Sequence, residues 1–179
     1  LSASQGDIEA AKKAFERVEE SSLAPIETAL SKTRALSIAG DVEIARDYLE
    51  KFSKDNGNFE SGPVRFYIDT LKSGKPVEEK LTPQQEAARA LTESSYGFFV
   101  RNRASDVAEV FLQFAVQLDP EHDKAKLWLG ALLESSERKD EAMALYTSIP
   151  ESSPYIVSAK LSQANIFFSN EEDEAAIAL

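Results

Sequence analysis

One repeat length runs through this chain, and no other feature restricts its fold so sharply. Gly6-Asp7-Ile8-Glu9-Ala10-Ala11 returns as Gly40-Asp41-Val42-Glu43-Ile44-Ala45, which sets Phe15 on Leu49. Further along, Asp106-Val107-Ala108 aligns with Asp140-Glu141-Ala142 and then with Glu174-Ala175-Ala176 at the same step. Phe99, Leu133 and Phe167 keep it, as do Ala125 and Ala159, Leu127 and Leu161, and Asp119-Pro120 and Ser153-Pro154. A fixed period of roughly 20–50 residues marks units that cannot bury an apolar face alone and must stack on their neighbours.

Each unit carries the signals of helix, turn, helix. Leu129, Leu132 and Leu133 in one unit, and Leu161, Ala164, Phe167 and Phe168 in the next, recur at helical spacing. Asp119 and Ser153, each followed by proline, are expected N-caps with proline at the first helical position. Polar breaks over residues 135–139 and 169–173 lead to a second helix, which in one unit carries Ala142, Leu145, Tyr146 and Ile149. Its alanine recurs where only a small side chain lets two helix backbones approach. Similar signals predict a helix over residues 7–20 and a pair over 25–39 and 41–52. Successive helical residues point about 100° apart. The two rings of Phe66-Tyr67, Phe98-Phe99 or Phe167-Phe168 therefore cannot both enter the same side of a core; one can pack inward while the other faces the next repeat or the groove, and core packing is the expected role for each. The segment Asp106–Leu118 is apolar almost all round, which predicts a helix wedged between others.

These residues resemble the tetratricopeptide repeat family. Its pattern W-x2-L-G-x2-Y, then A-x3-F, then P is met by Lys126, Leu129, Gly130 and Leu133, then Ala142 and Tyr146, then Pro154. Lys126 and Leu133 depart from it, with Trp128 two positions beyond the first. The resemblance is to bacterial-type members and implies an all-α fold, a right-handed α-solenoid of antiparallel helical hairpins with about 9–10 helices. It implies non-catalytic protein binding along a concave groove. The family's groove positions fall here on Glu93, Gly97 and Val100; Leu127, Ala131 and Glu134; and Leu161, Asn165 and Phe168, with Lys124 at the rim. The lysine and asparagines that hold a partner's C-terminal carboxylate in one subtype are matched only by Asn165, so no such clamp is expected. The expected ligand is an apolar or basic segment.

The middle of the chain breaks the period. Two full repeats beyond Ala45 fall on Gln113, whereas the matching alanine is Ala108, so a unit there is shortened or replaced. Asp55-Asn56-Gly57-Asn58 and Ser61-Gly62-Pro63 are turn clusters, after which Val64, Tyr67, Ile68 and Leu71 form one short amphipathic helix. Its partner helix is missing, and residues 73–80 form a loop before Thr82-Pro83-Gln84-Gln85, a capping box, opens a helix to about Arg101. The expected organisation is residues 1–54 as N-terminal repeat helices, 55–82 as an irregular linker, and 83–179 as C-terminal repeats of one continuous solenoid. The linker is either a tolerated deletion or a hinge or docking loop.

Charge and composition narrow the chemistry. Lys and Arg number 20 against 31 Asp and Glu, a net charge of −11, which repels nucleic acid and anionic membrane surfaces. No run of about 18 apolar residues is present, so no direct membrane insertion is expected. With 0 cysteines and 1 histidine, thiolate nucleophiles, disulfides and Cys or multi-His metal cages within the chain are excluded. His122, beside Glu121 and Asp123, reads as a solvated surface residue, as do the acidic clusters at Glu19-Glu20 and residues 171–174. No catalytic residue, cofactor or metal site is expected. The chain starts close to a helix and stops within one, as a fragment of a longer protein would; its compartment, bacterial cytoplasm or periplasm, stays open. Function is therefore expected to be a scaffold for a protein or peptide partner, the alternatives being a self-associating structural module, hence a homo-oligomer, and the regulatory arm of a larger enzyme.

Overall fold

The computed structural model describes residues 25–57, 62–77, 81–100 and 105–178. The helix expected over residues 7–20 lies outside them. Every regular element among the described residues is a helix: α1 Pro25–Ile38, α2 Val42–Asp55, α3 Gly62–Lys72, α4 Pro83–Val100, α5 Ser105–Leu118, α6 Asp123–Ser135, α7 Lys139–Thr147, α8 Ile156–Ser169 and α9 Asp173–Ile177. The chain divides into two compact units, Leu1–Lys80 and Leu81–Leu179.

In the first unit α1 and α2 pack as a hairpin and α3 packs on both. Val64, Tyr67, Ile68 and Leu71, the apolar positions of α3, are all buried, in one core with Leu30, Leu36, Ala45 and Leu49. The described residues that follow α3, 73–77, are irregular, with Gly74 at φ 77°. Val77 is buried, and its N–H donates to Ser37 Oγ of α1 at 3.1 Å. In place of a partner helix, α3 is thus followed by a short strap whose backbone polar group is satisfied by a side chain.

The second unit is a helical-repeat solenoid. Its three hairpins, α4/α5, α6/α7 and α8/α9, have second helices that begin at Ser105, Lys139 and Asp173, one sequence period apart at each step. Consecutive helices pack, and the first helices also pack on one another, α4 on α6 and α6 on α8. The repeated alanines Ala108, Ala142 and Ala176 are buried, and Ala45 takes the same place in α2. Ala125 and Ala159 are buried one period apart in the first helices. Between α6 and α7 the backbone comes directly against a ring. A Cβ on Gly130 would stand 2.5 Å from Cε1 and 2.8 Å from Cζ of the fully buried Tyr146 ring.

Helix ends show which local signals hold. Thr82 and Gln85 form the reciprocal capping box: the Gln85 N–H donates to Thr82 Oγ1 at 3.3 Å and the Thr82 N–H to Gln85 Oε1 at 3.0 Å. The expected caps at Asp119 and Ser153 are displaced. The N-cap positions are His122 and Tyr155, and Asp119 and Ser153 close the tight turns that precede. Asp119 Oδ1 accepts from the Glu121 N–H at 3.2 Å and Ser153 Oγ from the Tyr155 N–H at 3.2 Å. The short side-chain turn competes with the helix start and wins.

Three helix C-termini close alike. The N–H groups of Gly40, Glu137 and Glu171 bond back three positions, and those of Asp41, Arg138 and Glu172 bond back five, the latter at 2.9–3.0 Å. This pattern needs a left-handed residue, supplied at φ 95° by Gly40 but at 60° and 63° by Glu137 and Glu171. A side chain there costs about 1 kcal/mol. Glu137→Gly is expected to raise the urea midpoint, adding about 0.5–1 kcal/mol of stability. Gly130→Ala, in contrast, must displace the Tyr146 ring and is expected to cost about 1–3 kcal/mol in the same measurement, despite the better helix propensity of alanine.

Candidate functional site

The residues expected to line a groove lie on the first helices of the second unit, and the structure divides them into two groups. On α8, Leu161 is 62% exposed and Phe168 52%, with Asn165 exposed between them. Val157, absent from the sequence expectation, is 63% exposed and extends the row. Positions 157, 161, 165 and 168 follow the i, i+4, i+8, i+11 rhythm, so they share one helix face. That spacing was the available signal for Val157. Isolated exposed apolar residues are ordinary, whereas a row along one face is an unpartnered surface.

On α6, and at Glu93 on α4, the expected groove residues are engaged in packing or hydrogen bonds. Leu127 is half-buried against the core, and Ala131 is half-buried. Glu134 accepts the Tyr146 hydroxyl at 3.0 Å. Burial above all pushes the Tyr146 phenol well above its ordinary range, with Glu134 acting in the same direction and a hydrogen bond with Ser162 opposing them. Lys124, expected at the rim, is buried instead. Its Nζ donates to Glu93 Oε1 at 2.9 Å and sits 4.6 Å from the centre of the Trp128 ring, whose other neighbour is Tyr96 at 5.4 Å. Lys126, which stands where the repeat pattern it resembles has tryptophan, is also buried and bridges Asp123 Oδ1 and the Ser148 carbonyl, each at 3.3 Å. That carbonyl lies at the α7 C-cap, where a cation is favoured by the helix dipole. Gly97 is exposed, and the side chain of Val100 lies outside the described residues.

His122 is corrected as well. It is half-buried at the α6 N-cap, and its Nε2 is buried with no hydrogen-bond partner among the described residues. Burial, then the nearby Arg89 and Lys124 cations, hold its pKa below the usual 6.5, against the pull of Asp119 and Glu93.

The helix expected to be wedged between neighbours, α5, packs on both α4 and α6 but leaves one apolar flank open. Ala108, Leu112 and Ala115 are buried, but Val107, Val110, Phe114 and Leu118 are exposed, from 39% at Val107 to 54% at Phe114. Asp106, Glu109, Gln113 and Gln117 mark a polar stripe, but the apolar arc beside it is wider than α4 and α6 cover. In the aromatic pairs whose two side chains are both described, Tyr67 is buried and Phe167 half-buried, whereas Phe66 and Phe168 are exposed and, contrary to expectation, do not serve the core. Among the described residues, no helix is long and apolar enough to cross a membrane, and no three acidic or histidine side chains gather as a metal site.

No protein-family model matches the chain, and no curated protein matches it. A solved structure to which it is similar is the crystal structure of MamA, at 18% identity and a TM-score of 0.49, covering 99% of this chain and 86% of that one.

The His122 environment has a measurable consequence. Its folded pKa lies below the unfolded value, so nothing is lost above pH 6.5; as pH falls below about 6.5 the unfolded chain takes up a proton that the folded chain resists. Urea unfolding from pH 7.5 to 5 is expected to show the native chain losing stability relative to His122→Asn. Carboxylate titrations are common to both chains, and parallel curves would remove His122 from the account.

Proposed function

We propose that this protein is a non-catalytic scaffold of the tetratricopeptide repeat type, binding a protein or peptide segment on the first-helix face of its second unit. The observation that carries the reading is the exposed row Val157, Leu161 and Phe168 on α8. Three large apolar side chains on one face lie open while smaller residues of the same unit are buried. A segment laid along that face gains by removing this surface from water, at roughly 25 cal/mol per Å² before ordering costs. Asn165 offers a polar contact between the anchors, and Leu127 and Ala131 supply the adjoining surface on α6, which packs on α8. Val100, with Gly97, belongs to the same proposed groove on α4, whereas buried Lys124 serves it as support through Glu93.

Selection of a displayed random-peptide library on the purified chain tests this. Recovered peptides are expected to carry apolar residues at helical or alternate spacing. They should lose affinity by about 1–3 kcal/mol on Phe168→Ala and more on Leu161→Arg. Both residues are largely exposed, so circular dichroism and unfolding midpoints should stay close to those of the native chain. Undiminished affinity in both variants would remove α8 from the proposal.

A further inference from the structure

The apolar row on α8 runs into charge at one end only. Phe168 stands in the last turn, and that turn holds no basic residue. Glu171, Glu172, Asp173 and Glu174 follow at once, all four exposed. None of them makes an ion pair among the described residues. The cations that reach this end of α8 are already engaged: Lys139 lies 3.8 Å from Glu137 and donates to Ser169 Oγ at 3.1 Å, and Arg138, which lines one cavity with Asn170, pairs with Glu109 and Glu141. Four successive carboxylates repel one another, in a chain whose net charge is already −11. At the other end of the row, near Val157, Lys160 and Glu151 neutralise each other. The face is thus apolar but for Asn165, and anionic at the end where α8 stops.

From this we propose that the occupant of the α8 face is a basic amphipathic helix. Its apolar side chains would cover Val157, Leu161 and Phe168, and a cluster of Lys or Arg at one end would meet residues 171–174. This rests on the reading of α8 as the binding face and adds the partner's chemistry and its placement along the face. The division of labour follows from magnitudes. An exposed ion pair changes affinity by at most about fivefold, so the apolar anchors hold the partner. The carboxylates select its charge, fix which of its ends lies beside α9, and speed its encounter. An acidic segment of equal hydrophobicity is rejected by the same four groups and by the charge of the whole chain.

The test uses three labelled synthetic helices. The first two share apolar residues at positions i, i+4, i+8 and i+11, with three lysines at one end of the first and three glutamates at that end of the second. The third has the lysine helix's composition in scrambled order. Fluorescence anisotropy is read at about 50 and 300 mM salt, where screening lengths differ by more than twofold. The lysine helix is expected to bind at least tenfold more tightly than the glutamate helix, and to lose most of that advantage at high salt. Glu171→Lys with Glu174→Lys, which bring the charge of residues 171–174 to zero, should remove most of the preference, and Leu161→Arg should abolish binding of both patterned helices. Equal binding of the two, unaltered by the paired lysine substitutions but lost in Leu161→Arg, overturns the basic partner and leaves the α8 face standing. Failure of every helix to bind, equal binding of the scrambled helix, or binding indifferent to Leu161→Arg overturns both. Sedimentation showing a dimer of the native chain that Leu161→Arg returns to monomer would make a second copy the occupant and overturn the proposal as well.

Discussion

Small residues at the crossings of paired helices set the geometry on which the rest of the second unit depends. Packed helix axes ordinarily lie about 8–10 Å apart, the distance varying with the side chains at the contact. Ala108, Ala142 and Ala176 are the small buried residues at these crossings, and Gly130 goes further by bringing its backbone against the Tyr146 ring. The requirement recurs once per period because each hairpin is seated on the one before it. Widening one crossing would rotate its first helix, and it is the first helices that present Leu127, Ala131, Leu161 and Phe168.

Much of this was legible because it is periodic. Alanines one period apart, a capping box at Thr82 and Gln85, and the amphipathic row of α3 each state a local rule that the fold obeys. The displaced caps show where local signals compete. Asp119 and Ser153 have the chemistry of an N-cap and also of a short side-chain turn, and nothing nearby in the sequence decides between them. The exposed flank of α5 shows a different limit: hydrophobic periodicity locates its polar stripe, Asp106, Glu109, Gln113 and Gln117, but not which part of a broad apolar arc the neighbours cover.

The polar groups were the least legible part of the site. Lysine and histidine on a strongly charged chain are read as surface residues, because burial of a lone charge is costly. Lys124 and Lys126 escape that cost through partners brought to them by the fold: Glu93 from α4, and the Ser148 carbonyl from the end of α7. No spacing within one helix announces such a partner, which lies 31 residues away in one case and 22 in the other. The exposed row on α8 was more accessible, as it follows from the repeat offset alone, and Val157 continues it by one further turn.

Trp128 is the chain's single tryptophan, and it stands where α4 and α6 meet, with the Lys124 ammonium over its ring and Tyr96 close by. Indole emission is sensitive to a neighbouring positive charge, and a phenol at this separation passes its excitation to an indole efficiently. The unlabelled molecule therefore contains its own optical gauge of whether the two helices remain seated.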